Sequence, residues 1–208
     1  MNLLLKIFDI ITNLDQNLHL ITQQYGSLTY LILFLIFFSE TGLVIAPFLP
    51  GDSLLFVAGL IAAQGSLNIW VLFFILLIAA FLGDTINYFI GYYGGLKVFN
   101  KLINKKYLDK TELFYQKHGG KTIILARFMP IIRTFAPFVA GIAKLDYSKF
   151  LIYNIVGGFI WVVVFLFGGY CFGNIPFVQE NLSLILLLII ILSFMPGVIE
   201  YLRHRFFK

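Results

Sequence analysis

Long apolar stretches alternate with short polar or glycine-rich breaks along most of the chain. Three of these stretches, 69–95, 150–173 and 182–202, are long enough to cross a hydrocarbon layer about 30 Å thick, so we predict a transmembrane helix for each. Residues 1–25 place their apolar side chains on one helical face, which predicts an amphipathic helix lying in the membrane interface.

Two further apolar stretches, 28–63 and 122–143, are interrupted in a way that a simple spanning helix would not tolerate. Backbone that leaves helical geometry inside a membrane must have its polar groups satisfied by protein or water. We therefore predict that each stretch is a re-entrant hairpin bordering a wet cavity. The residues that shape the hairpins are Pro47, Pro50 and Gly51 in the first and Pro130 and Pro137 in the second.

The positions of the basic residues predict how these segments are oriented. Lysines crowd the segment 97–121, and lysines also flank the second hairpin on both sides. Basic loops stay in the cytoplasm, so we expect 97–121 and the C-terminus to be cytoplasmic and the second hairpin to enter from that side. The first hairpin then enters from the opposite side. The same rule explains the net charge of +5, so we expect no nucleic-acid partner.

Composition strengthens the membrane interpretation. The 208 residues are 60% hydrophobic and 12% charged, whereas ordinary soluble chains are about 45–50% apolar and about 25% charged. One core of this size could not hide so much apolar surface, and the single Cys171 excludes an internal disulfide. The fold class that we predict is an all-α polytopic membrane protein, formed by one membrane domain over 1–208.

The two hairpins resemble each other in sequence. FLP at 48–50 followed by FVAGL at 56–60 is echoed by FMP at 128–130 followed by FVAGI at 138–142. One predicted span separates the two hairpins, so the repeats would be inverted and the hairpins opposed, as in many transporters. The alternative is a chance similarity between two segments rich in phenylalanine and glycine.

Ionisable side chains at membrane depth are the candidates for function, because each costs at least ~2.5–3.5 kcal/mol to insert. The first hairpin carries acids and the second carries arginines. An alternative is that these charges only form buried ion pairs that hold the hairpins together, although such pairs seldom stabilise a protein more than apolar packing does. The candidates are Glu40, Asp52, Asp84, Arg127 and Arg133.

Each type of charge indicates a role. The planar guanidinium group presents a fork of donors suited to phosphate oxygens, so we expect Arg127 and Arg133 to bind a lipid headgroup. An apolar site favours the neutral form of a carboxylic acid, so we expect Glu40 and Asp52 to take up and release protons. Asp84 either lines the same cavity or only anchors the first hairpin.

Several chemistries lack the residues that they need. The histidines fall outside the apolar spans, no cluster has metal-ligand spacing, and no nucleotide-binding loop occurs, so we expect no metal, no cofactor and no enzyme. A lipid phosphatase would lack its nucleophile. A proton/monovalent-cation antiporter using the same carboxylates is the main alternative to lipid transport, although the arginines would repel its cation. A pure scaffold is a further alternative.

The motifs together resemble one family. They are FSETG at 38–42, PFLPGDSLL at 47–55, G-D-x3-Y-x2-G-Y-x-G-G at 83–95 and R-F-x-P-x2-R-x3-P-x2-A-G at 127–141. This pattern, covering about 25–175, is similar to that of the DedA family, whose eukaryotic relatives carry the same region as the VTT or SNARE-associated domain.

The resemblance implies two opposed re-entrant hairpins and a role in lipid translocation. It implies recycling of undecaprenyl phosphate in the bacterial inner membrane, supported by the proton-motive force, whereas the eukaryotic relatives scramble phospholipids. It also implies functional roles for Glu40, Asp52, Arg127 and Arg133. The partners we expect are membrane lipids and protons, and the pattern leaves room for a homo-oligomer.

Overall fold

The computed structural model describes residues 22, 24–42, 51–99, 121–181, 184–185 and 188–189. Within these residues the regular structure is helical and contains no strand, which confirms the all-α class. Several predictions lie wholly or largely outside this part of the chain. They are the interfacial helix at 1–25, Pro47 and Pro50, the basic segment 97–121 and the span 182–202.

Eight α-helices and one π-helical turn follow one another in the described part of the chain. We number them α1 (Leu28–Gly42), α2 (Gly51–Ala63), α3 (Ile69–Phe99), α4 (Lys121–Ala126), α5 (Pro130–Ile142), α6 (Tyr147–Val162), α7 (Gly168–Phe172) and α8 (Pro176–Glu180), with a π-helical turn at Val163–Phe167 between α6 and α7.

Two helical segments are long and apolar enough to cross a membrane. They are Ile69–Gly94, within α3, and Tyr147–Phe172, which joins α6, the π-helical turn and α7; each has 26 residues. Both begin at a side chain that accepts from the first-turn amides, the usual N-cap arrangement. Asn68 Oδ1 accepts from the amides of Trp70 and Val71 at 2.9 and 3.2 Å, and Asp146 Oδ1 accepts from the amide of Lys149 at 3.0 Å.

The stretches predicted to be hairpins each contain two helices. In the first, α1 and α2 are separated by residues outside the described part of the chain. In the second, the helix ends at Ala126 and restarts at Pro130, the first-turn position that proline favours, after an extended Met129. Pro137 lies inside α5, where it removes one backbone donor.

The chain divides into two compact units, and we describe each by itself. The first, which we call the α2 unit, contains α2, the first part of α3 and the chain from Val162 onward. Here α2 is buried from Gly51 to Ala62 and packs on the π-helical turn and α7. The helices touch backbone to backbone, because a Cβ on Gly59 would lie 2.0 Å from the carbonyl oxygen of Leu166 and a Cβ on Gly169 would lie 1.9 Å from that of Phe56.

The second unit, which we call the α5 unit, contains Leu35–Leu49 and Leu77–Trp161. Its α5 packs on α3 through another pair of glycines. A Cβ on Gly141 would lie 2.0 Å from the carbonyl oxygen of Tyr88, and a Cβ on Gly91 would lie 2.1 Å from that of Phe138.

The two glycine contacts correspond residue by residue. Gly59 and Gly141 occupy the same place in the FVAG motifs at 56–59 and 138–141. In each motif the carbonyl oxygen of the phenylalanine lies close to a glycine of the opposing helix, Phe56 to Gly169 and Phe138 to Gly91. The repeated sequence therefore makes the same local contact in both units, while the opposed orientation of the hairpins stays a prediction.

Candidate functional site

The most buried guanidinium group of the α5 unit belongs to Arg127, in the turn between α4 and α5. The residue is 1% exposed, and its Nη2 donates both to Oδ2 of Asp84 on α3 and to Oδ1 of Asn154 on α6. Asn154 is itself oriented by α3, because its Nδ2 donates to the carbonyl oxygen of Phe81 at 3.3 Å. Arg127 thus joins three segments that are far apart in sequence.

Two adjacent glycines on α6 make room for this side chain. A Cβ on Gly157 would lie 3.0 Å from Cδ of Arg127, and one on Gly158 would lie 3.5 Å from Cζ and both Nη atoms. The guanidinium group therefore lies against α6 at two successive residues that have no side chain, beside Asn154. Any larger residue at Gly157 would press on Arg127.

Part of this cluster's hydrogen-bonding capacity is not used by the described residues. Nε and Nη1 of Arg127 and Oδ1 of Asp84 are buried and have no hydrogen-bond partner there. Unsatisfied polar atoms at this depth cost free energy, more so when they belong to charged groups. The cluster therefore offers donors beside a carboxylate, which is a suitable arrangement for a polar or anionic group.

The second guanidinium group belongs to Arg133, in the first half of α5. Its Nη2 donates to Oε1 of Glu40, which lies near the end of α1, and both side chains are almost fully buried. Its Cζ lies 4.7 Å from the ring centre of Trp161, within the range of a cation–π contact. Arg133 is therefore contacted by a carboxylate and by an aromatic face.

The side chain of Asn87 on α3 forms hydrogen bonds with the backbone of both α1 and α5. Its Nδ2 donates to the carbonyl oxygens of Thr41 on α1 and Thr134 on α5, at 3.1 and 2.7 Å. α1 approaches α3 closely at the same level, since a Cβ on Gly83 would lie 1.9 Å from Oγ1 of Thr41. The side chains around Arg133 are thus carried by helices that lie close together and that the Asn87 side chain connects.

The α5 unit brings together four of the residues selected from sequence: Glu40 with Arg133, and Asp84 with Arg127. The fifth, Asp52, lies in the α2 unit, where it is 5% exposed in the first turn of α2. Gly51 is the first residue of that helix. Two buried ion pairs are therefore present in the described part of the chain.

Sequence reasoning missed three contributors to the site. They are Asn154, Trp161 and the Gly157–Gly158 pair. Asn154 had a usable signal, because a polar side chain in an apolar span is a candidate for function. Trp161 and the glycines had none, because both residue types are common in helices that only pack. The described residues contain no group of three side chains able to hold a metal ion.

Comparison with known proteins places the site in a family. Residues 49–171 match the model of the VTT domain. The chain is 52% identical to the Protein DedA of Escherichia coli K12, over 99% of this chain and 96% of that protein. It is 44% identical to a membrane protein of Mycobacterium leprae, over 79% of this chain and 75% of the relative.

A more distant relative is the Inner membrane protein YghB of Escherichia coli K12, 34% identical over 80% of this chain and 78% of that protein. No solved structure matches the chain. The family model covers more than half of the 208 residues, and the first relative is similar over nearly the whole chain. The chain therefore belongs to the DedA family of membrane proteins.

Proposed function

We propose that this protein is a transporter, and not an enzyme, that moves a phosphate-bearing lipid between the leaflets of the bacterial inner membrane. Undecaprenyl phosphate is the first candidate and an ordinary phospholipid is the second. The observation that carries the proposal is the pair of buried arginines, Arg127 and Arg133, each bonded to a buried carboxylate in a chain of apolar helices. The relative named as an inner membrane protein supports the location.

The Arg133–Glu40 pair suits an exchange of anions. A phosphate group presents the same kind of oxygen acceptor to the guanidinium fork as a carboxylate does. In our proposal a headgroup phosphate displaces Glu40 from Arg133, and Glu40 becomes protonated because an isolated charge is costly in an apolar site. Return of Glu40 to Arg133 releases its proton and the lipid.

Asp52, which is buried in the first turn of α2, is the second residue that we propose to take up and release protons. Arg127 supplies a second binding position, since its Nε and Nη1 remain available to an added acceptor among the described residues. We also propose that the hairpins are opposed and that the C-terminus is cytoplasmic. The sequence repeat with one predicted span between its halves and the distribution of lysines support that arrangement.

The experiment that tests this function is lipid translocation in sealed liposomes containing the purified protein. The accessibility of a polyprenyl phosphate and of a phospholipid is followed with and without a pH gradient. We expect Arg133→Ala and Glu40→Gln to abolish protein-dependent movement. The matched control is Lys149→Gln, which removes a positive charge from an exposed position and leaves movement unchanged.

The outcomes separate the candidate functions. Movement that depends on the gradient supports proton-coupled transport, and movement without that dependence indicates scrambling. A cation-dependent pH change that Glu40→Gln abolishes, with no lipid movement, would contradict the proposal and identify an antiporter. If Glu40→Gln and Arg133→Ala both keep the lipid movement or the pH change of the unmodified protein, the ion pair only supports the fold.

A further inference from the structure

Trp161 is a buried aromatic residue that the exchange described above does not use. It is 0% exposed, and the edge-to-face packing of Phe37 fixes its ring, with the two ring centres 6.1 Å apart. The guanidinium carbon of Arg133 lies 4.7 Å from the centre of the Trp161 ring. Phe37 lies three residues before Glu40 on α1, so one helix supplies both the support of the ring and the carboxylate.

We propose that Trp161 is a positioning residue that holds the guanidinium group of Arg133 in place while its anionic partner is exchanged. This inference rests on the proposed function, because it concerns the same arginine. The face of an indole ring is negative, so it attracts a guanidinium group whether or not a carboxylate is also present. Glu40 and a headgroup phosphate then compete for the donors of Arg133, while the ring attraction is the same in both states.

The geometry assigns the two partners different tasks. The Glu40 carboxylate bonds to Nη2, in the plane of the guanidinium fork, where a phosphate would also bind. The guanidinium carbon lies over the ring of Trp161, and the ring supplies no acceptor oxygen, so it does not take the place of the carboxylate or of a phosphate. Without the ring, Arg133 would be free to follow Glu40 or to turn toward other acceptors when the ion pair opens, and the binding position would be lost.

The chain allows a direct optical test, because Trp70 and Trp161 are its two tryptophans. Trp70 is 60% exposed and belongs to the α2 unit, so Trp70→Phe leaves Trp161 as the reporter without changing the Arg133 site. The variant, in phosphatidylcholine nanodiscs, is titrated with farnesyl phosphate, and with farnesol as the uncharged control. We expect a saturable change in Trp161 emission with farnesyl phosphate, none with farnesol, and none with either when Arg133→Gln is added.

Substitutions at the ring provide the second measurement, calorimetric binding of farnesyl phosphate. We expect Trp161→Leu to weaken binding about tenfold and Trp161→Phe to weaken it about two- to threefold, since phenylalanine keeps part of the cation–π attraction. A ring that only supports the fold would not give weaker binding in Trp161→Leu than in Trp161→Phe together with the emission change. Should Trp161→Leu fail to fold, Trp161→Phe and the titration of Trp70→Phe still test the proposal.

Contrary results are distinguishable from failure of the proposed function. Equal emission changes with farnesyl phosphate and farnesol, or no change with either, would overturn the positioning role. If the emission test fails in either of these ways while Trp70→Phe still translocates polyprenyl phosphate in liposomes, lipid transport stands and only the role of Trp161 is removed. Absence of translocation by the unmodified protein would overturn the function itself.

Discussion

The α2 unit and the α5 unit use the same packing and differ in their chemistry. In each, the glycine of an FVAG motif contacts the backbone of a long apolar helix, and a glycine of that helix returns the contact. Each also contains an N-cap that starts one of the spans, Asn68 in the α2 unit and Asp146 in the α5 unit. Both described ion pairs between side chains, however, belong to the α5 unit.

The helix that opposes each FVAG motif also differs. In the α5 unit, Tyr88 stacks on Phe150 with ring centres 4.5 Å apart, and its hydroxyl donates to the carbonyl of Leu145. The corresponding Leu166 of the α2 unit lies in the π-helical turn at Val163–Phe167, a distortion often found at functional positions. The comparison teaches that a duplicated packing contact can support one polar unit and one largely apolar unit.

The largest effect that we expect comes from removing the Asp84–Arg127 ion pair of the α5 unit, first one partner and then both. Asp84→Ala should lower the free energy of unfolding by about 3–5 kcal/mol, because it leaves Arg127 buried without its carboxylate. Asp84→Leu combined with Arg127→Met should recover most of that loss. Reversible unfolding in mixed micelles measures both.

The same variants give a functional readout. We expect the double variant to be folded and inactive in lipid translocation, since it lacks one of the two proposed headgroup positions. A double variant that transports at the normal rate would show that the Arg127 cluster serves stability alone. The functional difference between the two units would then rest on one ion pair, that of Arg133 with Glu40.

The next effect tests whether the glycine contacts are equivalent. Gly59→Ala and Gly141→Ala should each lower the free energy of unfolding by about 3 kcal/mol, because the new Cβ meets a backbone oxygen that cannot move aside. Matched controls exist in both units, since a Cβ on Gly168 or Gly94 meets nothing within 4 Å. Alanine at these controls should be neutral or stabilising.

A tolerated alanine in only one unit would break the equivalence. If Gly59→Ala behaved like Gly168→Ala, we would conclude that the π-helical turn yields where the regular helix does not. Equal losses at Gly59 and Gly141 would instead indicate that both contacts are rigid.

The sequence was sufficient to predict the helical class, because long apolar stretches leave few alternatives in a membrane. It also selected the ionisable residues, since charge at membrane depth is costly wherever it occurs. It could not assign Arg127 to Asp84 or Arg133 to Glu40. Those pairings depend on which helices meet, and that contact is made by glycines and backbone.

The same limit explains the residues that were missed. A tryptophan in an apolar stretch can lie at the membrane interface, pack in a core or contact a cation, so the residue type of Trp161 alone is uninformative. The Gly157–Gly158 pair looks like any helix-packing glycine until Arg127 is placed on it. The structure supplies what one-dimensional patterns lack, which is the identity of the neighbour.

A smaller effect tests the matched starts of the two spans. Asn68→Ala and Asp146→Ala should each cost about 1 kcal/mol, since each removes the side-chain acceptor of first-turn amides. Asn68→Asp is the control that keeps the cap. A loss confined to Asn68→Ala would mean that the second span is held at its start by packing, for example of Phe150, and not by its cap.

The smallest effect concerns how α2 and α5 end. After α2 the left-handed position is Gly65, with a φ of 83°, and its amide donates to the carbonyl of Ala62 at 3.0 Å. After α5 the left-handed position is Lys144, with a φ of 50°, and its amide donates to the carbonyl of Gly141 at the same distance. The two ends use one turn geometry with different residues.

Because a side chain is strained at positive φ and glycine is not, the two exchanges should have opposite signs. Lys144→Gly should raise the free energy of unfolding by about 0.5–1 kcal/mol, and Gly65→Ala should lower it by a similar or larger amount. Lys144→Ala separates the loss of charge from the relief of strain. A destabilising Lys144→Gly would contradict the strain argument and show that the lysine stem contributes packing worth more than the backbone cost. The ends of α2 and α5 would then share a turn geometry and differ in how much side-chain packing stabilises it.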